Sequence, residues 1–106
     1  MAIILTRENF VKEVEESALP IVIDAYAVWC GPCQMMLPIF EELSKEMSSK
    51  YKFAKLNIDE LRDVAIKYGI SSVPTFLFIK DGKLVKRETG FINKDSLRQK
   101  IESAFE

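Results

Sequence analysis

The chain has 106 residues, with 15 basic against 16 acidic side chains, two cysteines and no histidine. That length fits one compact domain, and 48% hydrophobic residues can form a core without a disulfide framework. The lack of histidine removes Ser–His and Cys–His catalysis, two cysteines fall short of a structural zinc site unless carboxylates or a second chain complete it, and no basic stripe suggests nucleic acid.

Taken in chain order, residues 3–5 (Ile-Ile-Leu) predict a short strand. Thr6 is placed to cap a following helix, with Glu8 in its first turn favourable to the dipole. Phe10, Val11 and Val14 form that helix's expected apolar face. Residues 21–28 are a nearly continuous apolar run, the pattern of a strand buried on both faces. A long helix is expected from Gly31 to Ser48, with Met36, Phe40, Leu43 and Met47 on one stripe. Pro38 lies inside it and is expected to kink it, and the neighbouring Met35 and Met36 read as core filling. Residues 52–58 predict the next strand, and 60–69 a helix ended by Gly69. Residues 75–79 and 84–89 flank Lys80-Asp81-Gly82-Lys83, a strong hairpin signal. The last helix should start near Asn93, with Leu97, Ile101, Ala104 and Phe105 facing inward. The order β-α-β-α-β-α-β-β-α argues for an α/β fold whose central sheet the terminal hairpin makes mixed.

Both cysteines lie in Trp29-Cys30-Gly31-Pro32-Cys33, at the carboxyl end of the second strand, where open α/β sheets usually place their chemistry. A metal clamp lacks ligands. A structural staple would join a helix to itself and close too small a loop to stabilise much. A redox pair uses the facts better. Free N–H groups and the dipole at a helix N-terminus favour a thiolate at Cys30, the species that attacks a disulfide. Cys33, one turn deeper on the same face, would resolve the mixed disulfide. Pro32 suits a first helical turn, and Gly31 leaves room for an incoming chain. Asp24 sits in the apolar strand, where an unpartnered carboxylate is costly and desolvation raises its pKa.

The motif at residues 29–33 resembles the active site of the thioredoxin family. The likeness extends through residues 22–27, Pro38, residues 54–59, residues 68–82 and residues 89–91, and so spans essentially the whole chain. It implies the thioredoxin fold, a mixed five-stranded sheet flanked by four helices. It also implies a catalytic set of Cys30, Cys33, Asp24 and Lys55. Asp24 would exchange a proton with Cys33, and Lys55 would stand near Asp24. The resemblance further implies a cis Val73–Pro74 bond facing the cysteines. A substrate surface is expected from Trp29, Gly31, Pro32, Ile70, Val73, Pro74, Thr75, Gly90 and Phe91, with target backbone pairing near Val73 and Thr75. Gln34, where many members have a basic residue, and Tyr26, where tryptophan is common, depart from the pattern.

The expected function is protein-disulfide reduction. Its expected partners are disulfide-containing target proteins and a thioredoxin reductase or equivalent donor. No cofactor and no metal are expected, because no flavin or nicotinamide fingerprint is present. With neither a signal-like N-terminus nor a membrane-length apolar run, a monomeric cytoplasmic protein is the expectation. Two alternatives use the same residues: a disulfide isomerase or oxidase, and a binding subunit whose cysteines are dispensable.

Overall fold

The computed structural model describes all 106 residues. Five strands form one sheet in the order β1-β3-β2-β4-β5: β1 Ile3–Ile4, β2 Ile21–Tyr26, β3 Lys52–Asn57, β4 Thr75–Lys80 and β5 Lys83–Thr89. β1, β3 and β2 are mutually parallel, whereas β4 runs antiparallel to both β2 and β5. Four helical segments cover the sheet: α1 Val11–Glu15, α2 Gly31–Glu46, α3 Arg62–Lys67 and α4 Lys94–Phe105. This is the mixed sheet and element order that the sequence implies. None of the helices is long and apolar enough to cross a membrane.

Strand periodicity sends successive side chains to opposite faces, and two cores result. Val22, Phe53, Phe76 and Phe78 pack with Met36, Phe40 and Leu43 of α2 and with Leu97, Ile101 and Phe105 of α4. Ile21, Ile23, Ala25, Ala54, Leu56 and Leu77 pack on the other face with Phe10, Val14, Leu61 and Tyr68. Asp24 has the parity of Val22, so it faces α2. That assignment positions the chemistry described below.

Local chemistry explains the chain reversals. Asp81 and Gly82 both have positive φ, 54° and 76°, as a two-residue hairpin of matching twist requires. A Cβ at Gly82 would meet the Glu15 carbonyl at 2.9 Å. Gly69, φ 67°, ends α3: its N–H donates to Ile66 O at 3.0 Å, and the Ile70 N–H donates to Ala65 O at 2.9 Å, the paired bonds of a Schellman end. Arg87 Nη1 donates to Tyr68 O at 2.7 Å and fastens the same turn to β5.

Several expected details differ. The first helix is a short turn wound with i to i−5 bonding, Glu16 N–H to Val11 O, and Val11 is 49% exposed rather than buried. Phe10 and Val14, four apart, share the inner face, while Val11 is rotated about 100° from Phe10. Thr6 Oγ1 does accept from the Asn9 N–H at 3.1 Å, but this closes the turn before the helix. β1, β2 and β3 stop one or two residues short of the expected ends, and α2 stops at Glu46 with buried Met47 as its C-cap. α3 begins at Arg62 because Asn57 Oδ1 takes the Asp59 N–H into a local turn. Pro38 sits within α2 without ending it. Met35 points outward, 61% exposed, while Met36 is fully buried.

Phe40 is fully buried between Phe53 (centroids 5.4 Å, near edge-on) and Phe76 (6.2 Å). Phe40→Ala should cost about 3–5 kcal/mol of stability, read as a lowered urea midpoint at unchanged slope. A loss below about 1 kcal/mol would mean that the α2 face repacks.

Candidate active site

The site forms where β2 ends and α2 begins. Cys30 is the N-cap of α2 in extended backbone (φ −94°, ψ 116°), and its Sγ accepts the Cys33 N–H at 3.2 Å. It occupies the place a serine or aspartate takes at other helix starts. Pro32 falls in the first turn, where a missing N–H costs nothing. Both thiols are free, with Cys30 7% and Cys33 0% exposed. Cys30 Sγ–H also approaches Val73 O at 3.7 Å, so the segment before β4 faces the nucleophile. The Val73–Pro74 bond is cis.

Behind the thiols, Asp24 is completely buried, and neither of its carboxylate oxygens has a hydrogen-bond partner. Burial pushes its pKa up from 3.8 to about 7, against the pull of Lys55. Burial likewise raises the Cys33 thiol to about 12, aided by the hydrogen bond and charge of Cys30 and by the charge of Asp24. Lys55 is the register partner of Asp24 on β3, and its Nζ lies 3.5 Å from Glu41 Oε1.

A cleft of about 490 Å³ opens beside Cys30, lined by Trp29, Cys30, Gly31, Pro32, Ile58, Ile70, Ser71, Ser72 and Val73. It gathers five of the sequence-expected surface residues and omits four. Pro74 and Thr75 are buried, and Thr75 is paired in the sheet with both Ala25 and Thr89. Its hydroxyl donates to Ser72 O at 2.6 Å, bracing the cleft wall. Gly90 donates to Pro74 O at 2.8 Å, and Phe91 is 46% exposed, but neither lines the cleft. The structure adds Ile58, Ser71 and Ser72, as well as Asp59, whose Oδ2 accepts Trp29 Nε1–H at 2.9 Å. Ile58 and Asp59 directly follow β3, which ends beside β2; that adjacency was the available signal. Gln34 donates from Nε2 to Val28 O at 3.2 Å, and half-buried Tyr26 packs against the cysteine cluster.

A family model described as "Thioredoxin" matches residues 1–103. The chain belongs to the thioredoxin family. It is 45% identical to a thioredoxin of Rickettsia felis over 97 residues, 92% of each chain. It is 41% identical to a thioredoxin of Bacillus subtilis over 102 residues, covering 95% of this chain and 96% of the relative. Identity to thioredoxin 1 of Synechococcus elongatus is 38% over 102 residues, 96% and 95% of the two chains. Thioredoxins are thiol–disulfide redox carriers, and the protein is a protein-disulfide oxidoreductase.

Buried Asp24 makes the stability of this thioredoxin pH-dependent. Its folded pKa of about 7 lies above the ordinary 3.8, so the folded state binds the extra proton between those values. The penalty is absent below about pH 4, grows as pH rises, and is complete above about pH 7. Asp24→Asn should therefore stabilise increasingly from pH 4 to pH 8, by up to on the order of 4 kcal/mol relative to its effect at pH 4. A pH-independent difference in denaturation midpoints would show that Asp24 does not titrate in this window.

Proposed function

We propose that this chain is a cytoplasmic, monomeric, single-domain protein-disulfide reductase in which Cys30 attacks and Cys33 resolves. The observation that carries the reading is the Cys30 sulfur, taking the Cys33 N–H at 3.2 Å at the mouth of an apolar cleft. Attack of the Cys30 thiolate on a target disulfide forms a Cys30–target disulfide and expels the second target sulfur as a thiolate. The sulfur of Cys30 then carries no charge, and the two contributions by which it raises the Cys33 thiol disappear. Cys33 passes its proton to Asp24, whose pKa of about 7 suits a proton acceptor near neutrality.

The Cys33 thiolate attacks Cys30, a Cys30–Cys33 disulfide forms, and the remaining target thiolate leaves, taking the proton from Asp24 directly or through solvent. Two electrons have passed from the dithiol to the target. An external donor, a thioredoxin reductase or equivalent, restores the dithiol. The cleft residues Trp29, Gly31, Pro32, Ile70 and Val73 hold the target segment. The Val73 carbonyl, which faces Cys30 Sγ, is a backbone group available to an extended partner.

Cys30→Ser should abolish disulfide reduction, while Cys33→Ser should accumulate a covalent complex with a disulfide substrate that dithiothreitol releases. Asp24→Asn should form that mixed disulfide at a normal rate in stopped-flow and resolve it at least about tenfold more slowly near pH 7. Turnover by the Cys33→Ser protein, or by the double variant Cys30→Ser/Cys33→Ser, would overturn the reading. Equilibration with glutathione separates a reductant from an oxidase or isomerase. The pair should poise near the value of about −270 mV typical of thioredoxins, and a value between about −120 and −180 mV would sink the reducing role.

A further inference from the structure

Glu41 lies on α2 eight residues beyond Cys33, about two turns along the helix, and plays no part in the steps above. Its Oε1 is 3.5 Å from Lys55 Nζ, and the two side chains are only 28% and 21% exposed. Lys55 is also the register partner of Asp24. Alternation along the strands turns both side chains to the face that α2 covers. The ammonium nevertheless stands within ion-pair distance of Glu41 and not of Asp24, whose two oxygens have no hydrogen-bond partner at all. The other groups facing Asp24 supply no second cation. From α2 comes the Cys33 thiol, and from β4 the register partner is Phe76.

One cation is thus divided between an enclosed carboxylate and a partly solvated one. Were Lys55 turned fully onto Asp24, the pair would favour the ionised carboxylate and oppose its protonation. We propose that Glu41 is a positioning residue for the proton-transfer step: it draws the Lys55 ammonium away from Asp24 and so leaves the buried carboxyl free to take up and return a proton. The assignment rests on the reading of Asp24 as the proton acceptor for Cys33.

The test follows the Asp24 side-chain carboxyl by carbon NMR as a function of pH in the reduced protein. Glu41→Gln keeps an oxygen acceptor for the ammonium but removes the competing charge. The Asp24 midpoint should then fall by at least a few tenths of a pH unit. Lys55→Met should raise it, and Glu41→Gln in the Lys55→Met background should have less than half its single-variant effect. Glu41 is on the partly solvated side of α2, so these variants keep the fold. An unchanged midpoint in Glu41→Gln, or a rise, overturns the proposal, whatever Lys55→Met does. The pH profile of mixed-disulfide resolution separates this from a failure of the proton-transfer reading. If the profile shifts with the midpoint, both stand. If the midpoint shifts and the profile does not, Asp24 is not the acceptor and the assignment of Glu41 to that step falls with it.

Discussion

The bond from the Cys33 N–H to the Cys30 sulfur is the constraint on which the active site depends. Every helix begins with N–H groups that lack partners inside it, and α2 gives one of them to the reactive atom. The same contact therefore stabilises a fold element and fixes where the Cys30 sulfur sits. It also fixes the spacing of the pair, because a residue three positions into the helix returns to the face of the cap. With Pro32 in the intervening turn, the cap geometry is held without a competing donor. The helix in turn is anchored by Met36, Phe40 and Leu43 against the sheet, so the precision of the thiols derives from the core.

Asp24 is the cost of this arrangement. A carboxylate without hydrogen bonds in the middle of an apolar sheet opposes folding whenever it is ionised. The fold tolerates it because a protonated carboxyl is far less expensive to bury and its pKa rises to meet neutrality. The property that weakens the protein is thus the one that suits Asp24 to the proposed proton exchange: its pKa lies near neutrality. Cys33 shows the complementary case. Burial, with the hydrogen bond and charge of Cys30 and the charge of Asp24, raises its thiol to about 12, and in the proposed sequence the part owed to Cys30 is lifted once that sulfur becomes bonded.

What the sequence disclosed and what it withheld divide along a physical line. The apolar run at residues 21–26, the Asp81-Gly82 pair and the stripe through Met36, Phe40 and Leu43 report local periodicity and turn chemistry, and these fold as read, while Ala27 and Val28 fall beyond the strand and Val28 is exposed. Val11 and Met35 were misassigned because a neighbour in the chain has the same apolar character, and adjacent helix residues point about 100° apart. Periodicity finds a face but not always its phase. Ser71 and Ser72 belong to a loop with no period to read. Glu41 carries no local signal, and its contact with Lys55 joins α2 to β3. Such a contact exists only after the sheet has assembled. Thr75 and Phe91 were expected at the substrate surface through the family likeness, but the sheet pairing of the first and the position of the second leave them outside the cleft.

The surface around the thiols also bears on how targets are chosen. Val28, Trp29 and Met35 are 66%, 69% and 61% exposed, an apolar grouping that a monomeric surface usually avoids unless something docks there. No charged side chain lines the cleft. Asp59 is bonded to the Trp29 indole, and Gln34 adds a neutral amide bonded to the Val28 carbonyl. Charge complementarity gives partner selectivity and fast, salt-sensitive encounter. A neutral mouth with an available carbonyl at Val73 gives neither; it suits the proposed capture of extended segments that present a disulfide to Cys30. Broad acceptance is what the proposed general reductant requires, and on that reading discrimination would lie in the chemistry of the sulfur pair rather than in the charge of the rim.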